Sequence, residues 1–491
     1  MAYCGYITRL KNVRKHSNAD RLLLADCFGN TVIVSLEYQE GQLGVYFPVD
    51  GQLSPEFCAE NDLVRRKDEN GNPAGGYLDP DKRNIKAMKL RGEKSDGLFL
   101  PITCLANFTT VSDLKEGDTV TEYNGVEICR KYIPKRKSGT CHGGDKKGKA
   151  KANFAPTFYE HVDTDQLAYH MSDFKHGDVI ELTLKMHGTS GRTGYLPLIT
   201  GHEDSFGCYL ANAFRKLSAR LRGKPDPEPR HDGPEIIKYG YVTGTRRVVL
   251  DNNHDGGFYS DNTFRREMAQ KFEGKLHKGE VVYYEIVGFV NKDTPIMASV
   301  KNSKIKDKEF TKAYGEETVF SYGCDPNGDW FETNTELGCV KTIPPKCEVY
   351  VYRMTQVNED GDVFELSPDQ MRYRCEQMGV KYVPVFERFI IPDNPGEILT
   401  DKTGDADYGV CSPGEFVLRK VEQYFDGPDP IGKTHIREGV VARIVNRPGI
   451  AVYKHKNFNF KVLEGIIKDE ASAPDMEEAQ DEMSTEANQD S

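Results

Sequence analysis

The stretch Val179–Leu196, VIELTLKMHGTSGRTGYL, decides how the rest of the chain is read. Its first half has the character of a strand, with Val179, Ile180, Leu182 and Leu184 apolar. The strand then ends on a charged amine, Lys185, followed by His187, Gly188 and Thr189. A lysine is a good nucleophile only as the free amine. Its pKa must therefore fall from the reference value of about 10.4, through burial or nearby positive charge. The end of a strand over a cleft provides both. Gly188 lets the backbone turn close to a nucleotide where a side chain would collide. The hydroxyls of Thr189 and Ser190 can hydrogen-bond a sugar or a phosphate. A pattern this short arises often by chance, so its meaning depends on what else the chain carries.

Four further pieces follow in order. VVYYEIVGF (Val281–Phe289) is an apolar strand with one acid, Glu285, shortly before Gly288. A carboxylate buried in a strand needs a partner, and a ribose hydroxyl or a metal would serve. VYVYRM (Val349–Met354) alternates Tyr350 and Tyr352, either of which could lay a ring against a base. Strand alternation puts both on one face and does not choose between them. HIREGVVARI (His435–Ile444) sets Glu438 before Gly439 and a valine strand, an acid suited to a divalent metal. VYKHKNFNF (Val452–Phe460) places Lys454 and Lys456 two apart, so two ammoniums on one strand face suit a triphosphate.

The bulk composition sets limits. The chain has 491 residues, enough for two or three domains, and 38% of them are hydrophobic, enough for a real core. No run of 18 apolar residues predicts a membrane span, and the opening MAYCGYITRLKNV lacks the apolar centre of a secretory signal. Twelve scattered cysteines without a C-x-x-C pair fit reduced thiols in a cytoplasm, not a disulfide framework or a zinc site. Cys141-His142 has no second pair to complete a tetrahedral set, and Cys324, Cys339 and Cys347 read as free thiols. The net charge of −11 is unevenly spread. The last 23 residues, Asp469–Ser491, carry nine acids and no Lys or Arg, while Arg130–Lys151 holds nine Lys/Arg against one Asp. The first reads as a disordered acidic tail and the second as a basic linker or surface loop. A further helix is expected where Leu210, Phe214, Leu217 and Leu221 recur at helical spacing, and this stripe is expected to be core.

Residues 1–130 read as short strands between turns, a small β-barrel. HSNADRLLLADCFG (His16–Gly29) and IKAMKLRGEKSDGLFLP (Ile85–Pro101) resemble the OB-type tRNA-binding modules that accompany synthetases. Lys86, Lys89, Arg91 and Lys94 supply the positive charge such a face uses.

The order of the later pieces resembles the covalent nucleotidyltransferase superfamily of DNA ligases, RNA ligases and mRNA capping enzymes. Its motifs are K-x-D-G or K-x-H-G, then E-x-x-G, an aromatic strand, E-G-V-V and K-x-K. The phrases KMHGTSGR, YEIVG, YGC, VYVYRM, HIREGVV and YKHKNF are similar to the ATP-dependent RNA ligases that seal nicks. The leading barrel is similar to the Deinococcus-type branch. Only 35 residues follow Lys456, below the usual domain minimum of about 50, so the trailing OB domain of DNA ligases and capping enzymes is not expected. The chain departs from the pattern at Leu184, where an acid is frequent, and at Thr245-Arg246-Arg247, where Ser-Arg-Asn is usual. The tract from Tyr322 is also longer than usual.

The resemblance implies an α+β chain: an OB-type barrel (1–130), a basic linker (131–154), an adenylyltransferase domain of antiparallel sheets with flanking helices, ATP-grasp-like (155–467), and a disordered acidic tail (468–491). It implies an ATP-dependent RNA ligase using Mg²⁺ or Mn²⁺, with nicked or broken RNA as substrate. Lys185 would carry AMP. His187, Gly188, Thr189 and Arg192 would bind ATP, with Glu285 on the ribose and Arg192 beside it. Tyr350 or Tyr352 would stack on adenine, Lys454 and Lys456 would hold phosphates, Arg246 a phosphate or the RNA 3′ end, and Glu438 the metal. A DNA ligase, a capping enzyme or a non-catalytic RNA-binding protein are the rival expectations.

Overall fold

The apolar run before Lys185 does form a strand, and its alternation decides where the lysine points. Ile180, Leu182 and Leu184 lie on one face and are buried, while Glu181, Thr183 and Lys185 share the other face and line a cleft. The computed structural model describes residues 3–67, 69–71, 73–133, 154–246, 249–250, 263–329, 344–396 and 411–469. From this strand the chain builds β1 (Val179–Lys185), β2 (Thr189–His202), helix α1 (Phe206–Leu221), β3 (Glu235–Gly244), β4 (Glu280–Asn291), β5 (Cys347–Val357), β6 (Val385–Ile390), β7 (Gly439–Ile444), β8 (Val452–Lys456) and helix α2 (Phe458–Asp469).

These strands make two sheets. One has the order Asp165–Gln166, β8, β7, β1, β6; the other runs Val249–Leu250, β3, β2, β4, β5, Val363–Glu365. Pairing is antiparallel throughout these two runs, apart from Asp165–Gln166 against β8. Lys185 pairs with Gly439 at the edge of the first sheet, and Thr189 pairs with Ile286 in the second. The three residues between them carry the chain across. The cleft opens between the sheets at that crossing, which is why a buried strand ends there on a charge.

Residues 3–133 form separate small antiparallel sheets. Four strands take the order Leu98–Pro101, Leu43–Phe47, Gly5–Arg9, Thr119–Val120, and three more pair as Lys11–Lys15, Leu22–Cys27, Asn30–Ser35. Their cores gather Ile7, Val45, Phe47 and Phe57 on one side and Leu10, Val32, Tyr46 and Phe99 on the other. This region docks on the two-sheet body through apolar and charged contacts. Ala87 joins a core cluster with Phe458, Phe460 and Leu463 of α2, and Tyr6 stacks on Tyr169 with centroids 4.4 Å apart. Lys461 of α2 reaches the buried carboxylate of Asp96 at 2.6 Å.

One expectation fails. Helix α1 forms where the periodicity placed it, begun by Ser205, whose hydroxyl accepts from the Cys208 N–H. Its stripe is not core: Leu210, Phe214, Leu217 and Leu221 are all exposed, and the helix has no buried residue. The opposite face belongs to Cys208, Asn212 and Arg215, which hydrogen-bond carbonyls of the returning segment at Arg230 and Glu228. Periodicity reports that a helix has an apolar face, not what that face meets. The basic linker is outside the described residues from 134 to 153, as are Cys339, Arg247 and the acidic tail from 470 onward.

Candidate active site

A cavity of ≈ 320 Å³ lies over the crossing between the sheets. Lys185, His187, Gly188, Arg246, Glu285, Tyr352, Glu438, Lys454 and Lys456 line it, residues far apart in sequence. Its centre is Glu438, only 2% exposed, held between two ammoniums. Lys185 Nζ lies 2.7 Å from Glu438 Oε1, and Lys456 Nζ lies 3.4 Å from the same oxygen. Lys456 also meets Glu464 of α2 at 2.9 Å. Burial alone would raise the Glu438 carboxyl; Lys185 and Lys456 outweigh it and hold the group below its usual range.

Lys454 occupies the same face of β8 two residues earlier. Burial, reinforced by Lys456 and Lys185, pushes its ammonium down to about 8. His187 is different in kind. Burial lowers its imidazole to about 4, only partly opposed by Glu438, so it is neutral at pH 7. Its approach to Glu438 at 4.0 Å is therefore not an ion pair. The ring is wedged edge-on between Phe320 and Phe460, and its backbone N–H donates to Tyr322 Oη at 2.7 Å. His187 fixes the crossing in place.

Two glycines beside the charged residues are required by close packing. A Cβ on Gly188 would stand 2.3 Å from the Ile286 carbonyl oxygen, and one on Gly439 would stand 2.1 Å from that of His455. The approach that excludes a side chain at Gly188 is thus made by strand β4 itself. Glu285, on β4, accepts from the Gly188 N–H at 3.0 Å, and the Ser190 hydroxyl reaches it at 3.5 Å.

Three expected site residues lie elsewhere. Thr189 alternates away from the cavity that Ser190 faces, and its hydroxyl accepts from the buried Arg265. Arg192 shares the Ser190 face, but its guanidinium lies over the Phe158 ring, 4.2 Å from the centroid, and donates to the carbonyls of Phe158, Tyr159 and Thr245. It braces the wall behind the cavity. Tyr350 is buried in a core cluster with Leu184 and Phe320, and Tyr352 is the ring that lines the cavity. The register explains the choice: Tyr284 pairs with Val351 and Tyr283 with Arg353, so Tyr352 is an extra, bulged residue. A bulge breaks alternation and re-aims one side chain.

The far wall was not foreseen. Glu181 takes Arg372 in a fork at 2.8 and 3.0 Å, and Glu365 takes Arg353 at 3.0–3.1 Å and Arg443 at 3.3 Å. Arg246 pairs with Asp163 at the rim. No short motif announces these pairs, whose members stand up to 191 positions apart. Between them lies an apolar slot of Met297, Val383, Val385 and Val441, beside Tyr352. A flat heteroaromatic ring fits such a slot, with anionic groups extending toward the lysines.

The donors also fit a hard divalent cation. Glu438 Oε2 is buried and has no hydrogen-bond partner among the described residues. Mg²⁺ and Mn²⁺ are commonly held by one or two carboxylates, with water and substrate phosphates completing the shell.

No family model matches the chain, and no curated protein matches it. Solved structures do. A mutant of the Naegleria gruberi RNA ligase with AMP and Mn aligns at TM-score 0.50 and 14% identity, over 93% of this chain and 97% of its own. A second mutant, with ATP and Mn, gives 0.50 and 14% over 93% and 98%. The Naegleria gruberi RNA ligase with PPi gives 0.50 and 15% over 93% and 97%. At this identity the likeness establishes the fold, and it spans both the N-terminal region and the two-sheet body.

Proposed function

We propose that the chain is an ATP-dependent RNA ligase acting through a lysyl-AMP intermediate on Lys185, with repair of nicked or broken RNA in the cytoplasm as its setting. The observation that carries the reading is the Lys185–Glu438 pair in a cavity whose same wall holds Lys454 and Lys456. The RNA ligase fold, with neighbours holding ATP, AMP, PPi and Mn, supports it.

Lys185 Nζ, as the free amine, attacks the α-phosphorus of ATP. A P–N bond forms, the α–β P–O bond breaks, pyrophosphate leaves, and the amine loses a proton. AMP then passes to the 5′-phosphate of an RNA end, and a 3′-hydroxyl displaces it. Glu438 holds Lys185 Nζ in place at 2.7 Å. A divalent cation held by Glu438 would stabilise charge on the phosphates. Lys454 and Lys456 stabilise the charge developing on the transferred and leaving groups. Adenine stacks on Tyr352, and Glu285 takes the ribose beside Gly188. Arg246, at the rim, meets a phosphate or the 3′ end. The N-terminal strands, read as an OB-type module, grip the duplex through Lys86 and Arg91.

The test is intact-protein mass after incubation with Mg²⁺ and ATP, with GTP in parallel. Wild type should gain one AMP, lose it to a nicked duplex with an RNA 3′-hydroxyl strand, and a Lys185→Ala variant should gain nothing. A GMP adduct would indicate cap transfer instead. No adduct on protein free of bound AMP would overturn the catalytic reading.

A further inference from the structure

Helix α1 presents its apolar side to solvent, and that side has a symmetry of its own. Phe206 is 77% exposed, Tyr209 72%, Leu210 43%, Phe214 69%, Leu217 55% and Leu221 81%. Three aromatic rings and three leucines exposed to this degree offer on the order of 600 Å² of apolar surface. A standard interface buries roughly 800 Å² per partner, its polar rim included. The α1 stripe is therefore close to one half of a dimer interface.

Apart from Tyr209, the stripe reads the same from either end. Phe206 and Leu221, Leu210 and Leu217, and Ala213 and Phe214 are three pairs centred on one point of the helix. A two-fold axis through that point lays two copies of α1 antiparallel and sets the residues of these three pairs against one another, with Tyr209 opposite Ser218. This is the self-complementarity that an isologous contact demands. The charges agree with it. The same operation sets Arg215 opposite Asn212, Lys216 opposite Ala211 and Arg220 opposite Gly207, so none of these cations meets another. Beyond the helix ends it brings the segment carrying Lys224 near the one carrying Glu203. The basic C-terminal end of each helix, with Arg222 and Lys224, lies beside the acidic N-terminal end of the other, with Glu203, Asp204 and Asp232. The opposite face of α1 is taken by the returning segment, where Cys208, Asn212 and Arg215 hydrogen-bond the carbonyls of Arg230 and Glu228, so the apolar face is left open.

We propose that α1 is a homodimer interface, with two copies of the chain joined by antiparallel packing of this helix about an axis between Ala213 and Phe214. None of the α1 side chains lines the cavity, so the interface is separate from the candidate active site.

Sedimentation velocity on the full chain across about 1–100 μM tests this. Wild type should pass from monomer to dimer. Phe214→Glu, a charge placed at the axis twice per dimer, should raise the dissociation constant by about 100-fold or more. Because Phe214 is exposed, the variant should keep the wild-type circular dichroism spectrum. Glu203→Lys should weaken the dimer by a few-fold, and adding Lys224→Glu should restore it, because the swapped charges come near each other only in the antiparallel register. A wild type that stays monomeric overturns the proposal, as does a dimer indifferent to Phe214→Glu. A failed rescue overturns the antiparallel pairing. If Phe214→Glu weakens binding to duplex RNA or to anionic vesicles while wild type stays monomeric, the face belongs to that partner and not to a second copy.

Discussion

The crossing at Lys185 and helix α1 carry sequence signals of similar strength, yet they mean opposite things. At the crossing, polar residues that ordinarily stay wet are buried: Glu438 and His187 are out of solvent, with the half-buried Lys456 ammonium 3.4 Å from Glu438. On α1, residues that ordinarily stay dry face water. A motif whose members must converge on one ligand constrains its own geometry. A periodic stripe constrains only its helix, and leaves the partner open.

The largest effect expected at the crossing is on rate. Glu438→Gln keeps the shape but removes the charge between Lys185 and Lys456, and should slow formation of the AMP adduct by about 100-fold or more. Single-turnover adduct formation measures it, with the urea midpoint showing that the fold survives. An unchanged rate would mean that the pair is structural. Gly188→Ala comes next. Its Cβ would press on the Ile286 carbonyl at 2.3 Å, and the loss should be about 1–3 kcal/mol in urea unfolding.

Lys454 gives a pH signature of two signs. Above about 8 it sheds the charge that meets ATP, so KM for ATP should rise. Over the window from about 8 to the unfolded value of about 10.4, the native state has released a proton that the unfolded chain keeps. Unliganded stability should therefore rise with pH. Lys454→Met should flatten both curves; parallel slopes, or none, would remove Lys454 from the phosphate site. A smaller effect separates the two tyrosines. Tyr352→Leu should raise KM for ATP by about five-fold, for a stacking loss of about 1 kcal/mol, and Tyr350→Leu should change stability and not KM. The smallest effect is on α1: Leu217→Ala, at 55% exposure, should shift monomer stability by no more than about 0.5 kcal/mol. A loss several times larger would return the stripe to a core and erase the contrast.

Much of the cavity was legible because its residues stand where strands end. Lys185 closes β1, Glu438 precedes β7, and Lys454 and Lys456 share a face of β8, so order along the chain already grouped them. Strand alternation failed at Tyr352, because a bulge depends on how β4 pairs with β5 and a single strand does not reveal it. Arg192 was misplaced for a related reason. Nearness in sequence to Lys185 suggested a shared ligand, but the guanidinium is taken by backbone carbonyls of residues 158 and 159, which no local pattern brings there. The Glu181–Arg372 and Glu365–Arg443 pairs stayed hidden because ordinary charged residues become a wall only once distant strands meet.

Helix α2 has two ties three residues apart. Lys461 holds Asp96 of the N-terminal region, and Glu464 holds Lys456 in the cavity. The two regions are thus rigged to one spar. Deleting residues 1–130 would not subtract a binding module and leave the chemistry as it was. It would leave Lys461 without its acid, uncover Phe458 and Phe460 where Ala87 had packed, and slacken the stay that sets Lys456 beside Glu438. A truncated chain that lost activity would say as much about the mooring of one lysine as about the grip on RNA.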